Sequence, residues 1–114
     1  MTEEHFQKQV VQALEYGLPN DVWFTAVNPI PSKTPAVAGR SKAMGMKAGV
    51  PDLVLIVDGQ FIGIELKTTK GRPSKSQVRC FNSIHDAGAI VHVCNSLEQV
   101  VDVLRGLGVG IKLA

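Results

Sequence analysis

Asp52, Glu65 and Lys67 are the residues of this chain best suited to chemistry, because they interrupt sequence that otherwise belongs in a core. The stretch GVPDLVLIVDGQFIGIELKTT, residues 49–69, reads as two apolar strands joined at Asp58-Gly59, one of the strongest short hairpin signals. With a two-residue loop Val57 faces Gln60, and Asp52 then falls opposite Glu65 on the same face of the ribbon. Lys67, two residues further along, projects from that face as well. A four-residue loop keeps this register, whereas a three-residue loop sends the two acids to opposite faces.

Like charges opposed across a ribbon are destabilising unless one acid takes up a proton or a cation joins them. An oxygen-only donor set without His or Cys suits Mg²⁺ or Mn²⁺ rather than zinc, with water and phosphate oxygens completing the shell. The plainer alternative is a lysine neutralising an acid at a wet strand end. The apolar character of both strand faces weighs against it.

Other elements must hold this ribbon in place. Residues 3–16 set Phe6, Val10, Ala13 and Leu14 at helical spacing, with Thr2 able to cap the start and Gly17 and Pro19 to end it. DVWFTAV, residues 21–27, reads as a strand, with Trp23 expected in the core. From 28 to 49 three prolines and three glycines break up any period, so a long loop is expected there. After the hairpin, Ser74 opens a helix carrying Phe81 and Ile84 and ending near Gly88. AIVHVC is a short strand, Ser96 caps a last helix, and GVGIKLA is a terminal strand or a tail. The order is αβββαβ followed by a C-terminal helix. The fold class is α/β (α+β), with a mixed central sheet flanked by helices.

At 114 residues, 45% of them hydrophobic, the chain suits one compact domain over 1–114. No apolar run approaches the ~20 residues that span a bilayer, and the acidic MTEEHFQKQ does not resemble a signal peptide. The expectation is a cytoplasmic protein without a membrane partner. Cys80 and Cys94 lack disulfide or zinc spacing and read as packing residues, and His5, His85 and His92 read as satisfied surface or core residues. Net charge is only +2, but nine of the twelve basic residues fall between 33 and 79 against three of the ten acids. A solvated surface explains such a cluster in general; beside a candidate metal site it also suits a polyanion.

Pro51-Asp52, a hairpin, and Glu65-Leu66-Lys67 resemble the PD-(D/E)XK nuclease superfamily with its restriction endonuclease-like core. The longer set is similar to the VRR-NUC family: an N-terminal helix with Glu, GMKAGVPDLVL, IELK, SKSQ opening the next helix, and GAIVHVCNSLEQV. Compact relatives of this kind are stand-alone phage or bacterial nucleases, similar to Holliday junction resolvases in placing a homodimer on branched DNA. The resemblance implies a Mg²⁺- or Mn²⁺-dependent deoxyribonuclease with Asp52, Glu65 and the Leu66 carbonyl as metal ligands and Lys67 as the catalytic lysine. It also implies a Glu from helix one. Glu3 lies about 20° from Leu14 on the helical wheel, on the Phe6/Val10 stripe, and is preferred over Glu4; both would also complement the helix dipole. Gln77 is a family position for orienting water or phosphate, although Ser74-x-x-Gln77 is also a capping box. Gly49 is either a close-approach glycine beside metal or DNA, or a plain turn. Lys33, Arg40, Lys42, Lys47, Lys70, Arg72 and Lys75, with Arg79, would grip the DNA backbone without reading sequence. Rival readings are a flap, nicking or end-processing nuclease and a non-catalytic DNA-binding module.

Overall fold

The computed structural model describes residues 1–27, 34–68 and 71–114. Helix α1 (Glu3–Gly17) and strand β1 (Trp23–Ala26) lead to α2 (Pro35–Ala43). The hairpin β2 (Leu53–Val57) and β3 (Gln60–Leu66) follows, then α3 (Lys75–Asp86), β4 (Ile90–Cys94) and α4 (Leu97–Gly106). The strands lie in the order β1-β2-β3-β4. β1, β2 and β3 are antiparallel, whereas β4 pairs parallel to β3 through the α3 crossover, so the sheet is mixed.

The hairpin register is the one the sequence dictates: Val57 pairs with Gln60 and Leu53 with Ile64. Its turn is tight because Asp58 and Gly59 both take positive φ, 51° and 75°, as a two-residue hairpin of this hand requires. Alternation then decides the layers. Leu53, Leu55, Ile62, Ile64, Leu66 and Cys94 face α1 and α4, whose Phe6, Val10, Leu14, Val100, Val101 and Leu104 complete the core. Val109 and Ile111 of the C-terminal tail join it, and the Lys112 N–H donates to the Gly17 carbonyl at 3.0 Å. That segment is therefore a packed tail and not a strand.

Three expectations are corrected. The stretch after residue 33 contains α2, capped by Thr34 with Pro35 in its first turn; it lacked apolar periodicity because none of its residues is buried. Trp23 is 60% exposed, since it lies on the edge strand β1 and points to the sheet face opposite α1 and α4. His92 is not satisfied: its Nε2 is buried without a hydrogen-bond partner, and burial pulls the imidazole below its usual pKa.

A candidate active site at the open end of the hairpin

One step past the Leu53–Ile64 pair, Asp52 and Glu65 are joined crosswise. The Asp52 N–H donates to Glu65 Oε1 at 3.2 Å, and the Leu66 N–H donates to Asp52 Oδ2 at 2.8 Å. Each acid is thus oriented by backbone of the opposite strand. Because N–H and C=O of one strand residue point to the same side, the Leu66 carbonyl also turns toward Asp52. Lys67 turns the other way, its N–H donating to the Cys94 carbonyl at 3.0 Å.

Glu65 is 1% exposed, the only buried charged side chain among the described residues. Burial and then the charge of Asp52 push its carboxyl above the ordinary value of 4.5, while Lys67 and Gln77 pull it down without cancelling the rise. Lys67 Nζ stands 3.2 Å from Glu65 Oε2 and 3.9 Å from Glu3 Oε1. Glu4 instead pairs with Lys8 at 3.7 Å on the exposed side of α1. Of the two acids in that first turn, Glu3 is the one brought to the site.

Gln77 closes the capping box and also reaches Glu65. Its Oε1 accepts from the Ser74 N–H at 2.8 Å, closing the capping box with Ser74 Oγ, and its Nε2 donates to Glu65 Oε2 at 2.7 Å. Gly49 is required by its close approach to α3. At φ +80° a Cβ there would sit 2.4 Å from the Ser76 carbonyl oxygen, so only glycine lets the segment before Asp52 lie against the first turn of α3.

Asn95 escaped the sequence reading. Its Nδ2 donates to the Lys67 carbonyl at 3.4 Å, and its own N–H is held by Gln99 Oε1 at 2.6 Å, so the turn after β4 ties down the end of the lysine-bearing strand. Ser96-x-x-Gln99 repeats the pattern of Ser74-x-x-Gln77, which marks the cap of the helix but not Asn95 itself. Arg40 and Lys42 are exposed on α2, Lys47 on the connection to β2, and Arg72, Lys75 and Arg79 before and on α3. Among the described residues none of these is ion-paired. Lys33 and Lys70 lie outside the described residues.

The donor chemistry fits a hard divalent cation. Glu3 and Glu65 share the single ammonium of Lys67, Asp52 is hydrogen-bonded across to the Glu65 strand, and every candidate donor is oxygen, so acids outnumber the cation. Among the described residues no group of three or more His, Cys, Asp and Glu side chains is gathered closely enough to hold a metal ion, so an ion here would need backbone, water and substrate oxygens beside the two acids.

A mixed sheet whose hairpin ends in Pro51-Asp52 and Glu65-Leu66-Lys67 defines a nuclease-type domain of the PD-(D/E)XK pattern. The chain belongs to the VRR-NUC family: the VRR-NUC domain model matches residues 2–98. Among solved structures it is similar to a VRR_NUC domain protein at 19% identity and TM-score 0.70, over 93% of this chain and 87% of that one. It is also similar to a VRR_NUC domain at 22% identity and TM-score 0.63, over 90% and 94% of the two chains. The curated proteins give no match. Family membership makes this a nuclease-type domain with DNA as the implied substrate. No helix among the described residues is long and apolar enough to cross a membrane.

Proposed function

We propose that the chain is a divalent-metal-dependent, structure-selective DNA endonuclease that cuts branched DNA as a homodimer, in the manner of a Holliday junction resolvase. The observation that carries this reading is the crosswise pair Asp52–Glu65 with its surplus negative charge beside Lys67. Asp52, Glu65, the Leu66 carbonyl and Glu3 would hold Mg²⁺ or Mn²⁺. When bound, such an ion supplies Lewis-acid charge to a phosphate oxygen and lowers the pKa of an attacking water.

The chain's own residues do the rest. Lys67, fixed between Glu65 and Glu3, orients the attacking water and sets positive charge beside the phosphate as its own charge grows. Gln77 fixes the Glu65 carboxylate, so the two acids do not splay apart under mutual repulsion. Arg40, Lys42, Lys47, Arg72, Lys75 and Arg79 bind the DNA backbone through counterion release and carry no sequence information. Lys33 and Lys70 belong to the same proposed grip on sequence position alone.

Two-fold four-way junctions match a C₂ dimer. In support, Trp23, Ile56 and Phe61 form one cross-strand row on the sheet face away from α1 and α4, with Trp23 60% exposed. That row is a more apolar dimer surface than α1 or the C-terminal segment, which pack against each other.

The test is a Mg²⁺ and Mn²⁺ titration with end-labelled four-way, flapped and linear DNA, run beside Lys67→Ala and Asp52→Asn. Paired symmetric incisions in the junction are expected. Each substitution should lower cleavage by ~10²–10³-fold or more while leaving the DNA dissociation constant within about threefold. Full activity in either variant removes the site assignment, and unpaired cuts remove the dimer.

A further inference from the structure

We propose that the groove between the α2–β2 connection and α3 seats an unpaired nucleotide of the substrate strand. The inference rests on the nuclease reading and not on the four-way junction preference: it names an unpaired arm beside the cut as the feature the site prefers, which favours flapped over fully paired DNA. Ser76, Arg79, Cys80, Ser83 and Ile84 follow one another at three- and four-residue spacing, so they form one stripe along α3. Lys47 stands on the opposite wall, and the space between is about 490 Å³. That size lies in the range of small-ligand clefts.

The wall is built, not incidental. Gly49 presses the connection onto the Ser76–Gln77 peptide, where a Cβ would meet the Ser76 carbonyl oxygen at 2.4 Å. The groove therefore begins at Ser76, one residue from Gln77, whose amide holds Glu65 at 2.7 Å.

Its chemistry has two halves. Lys47 and Arg79 supply positive charge and, among the described residues, no carboxylate lines the groove, which suits a phosphate; the Ser83 hydroxyl donates to the Arg79 carbonyl at 3.1 Å and keeps only its acceptor capacity toward a base. The floor at Cys80 and Ile84 is apolar and suits the face of a base. In a duplex the bases are stacked inside, so paired DNA can use only the cations. An unpaired nucleotide uses both halves. DNA with a single-stranded arm beside the cut therefore binds better than the same duplex with blunt ends.

Binding is measured with the Asp52→Asn protein without divalent ions, conditions under which cleavage is expected to be negligible, against a blunt duplex and the same duplex with a five-nucleotide tail. The tailed DNA is expected to bind about five- to tenfold tighter. Ser83→Glu, a good helix former that sets a carboxylate in the groove one turn from Arg79, is expected to weaken both DNAs, the tailed one more, and so to erase that ratio. A second reading uses the thiols. Cys80 lies in the groove and is half-buried, while Cys94 is buried with its pKa pushed up to about 11, so alkylation at pH 8 reports on Cys80. A tail should slow that alkylation and a blunt duplex should not. Equal affinity for the two DNAs, a ratio that survives Ser83→Glu, or alkylation unaffected by the tail each overturns the groove assignment and leaves the nuclease reading standing. Failure of the wild-type protein to bind or cut any DNA overturns both.

Discussion

The hairpin that carries Asp52, Glu65 and Lys67 and the basic side of the molecule are held by opposite means. β3 is buried on both faces from Ile62 to Leu66, and its acids are fixed by backbone and by Gln77. α2 buries no residue, nor does α3, and their cations have no acidic partner among the described residues. Groups that must be placed to a fraction of an ångström sit in the rigid half. Groups that need only attract a polyanion sit where the fold spends nothing on them. The contrast follows from distance dependence, since transition-state interactions fail over about 1 Å while screened attraction acts over about 8–10 Å.

Gly49 is where the halves touch, and separating them there should have the largest effect. Gly49→Ala would meet the Ser76 carbonyl and take an unfavourable positive φ, costing at least ~2–3 kcal/mol in chemical denaturation. It should also lower cleavage by separating Gln77 from Glu65. Normal stability with normal cleavage would mean that the two halves are independent.

Gln77→Glu is subtler, because it keeps an acceptor for the Ser74 N–H and replaces the donor to Glu65 with a second negative charge. Cleavage is expected to fall by ~10–100-fold, about the cost of losing a ligand's outer partner, with the helical signal in circular dichroism unchanged. Loss of helix instead would make the glutamine a cap alone.

The buried acid also leaves a signature in stability. The raised Glu65 carboxyl binds a proton in the fold that the unfolded chain has already lost above 4.5. Its contribution is full below 4.5 and disappears as pH rises through the folded value. In the absence of divalent ions, urea denaturation across that window should show wild type losing stability relative to Glu65→Gln. A constant difference between the two would mean that the carboxyl is not perturbed.

The smallest effect belongs to the loosely held side. Replacing Arg40, Lys42 and Lys47 by Ala should make the slope of log K against log salt shallower by about 0.9 for each phosphate no longer neutralised, with cleavage restored at saturating protein. An unchanged slope would take α2 and its connection out of the DNA interface.

What the sequence disclosed follows the same division. The register was legible because Asp58-Gly59 fixes the loop and burial on both faces makes the strands read as apolar runs. Helix α2 was hidden, since a helix that buries no residue carries no apolar stripe to be read. Trp23 misled because burial was inferred from residue type, whereas an edge strand with one uncovered face exposes whatever points outward. Glu3 was reachable through the wheel, since it continues the stripe of buried Phe6 and Val10. Asn95 was not, because a side-chain amide on a strand's carbonyl leaves no periodic trace.

The crosswise bonds between Asp52 and Glu65 carry a last consequence. Sliding the ribbon by a single position would turn one carboxylate away and leave both backbone donors orphaned, so a mispaired chain has no weakened centre, only none. Competence to cut arrives together with correct strand pairing, and the acids serve as the fold's own proofreading of its alignment.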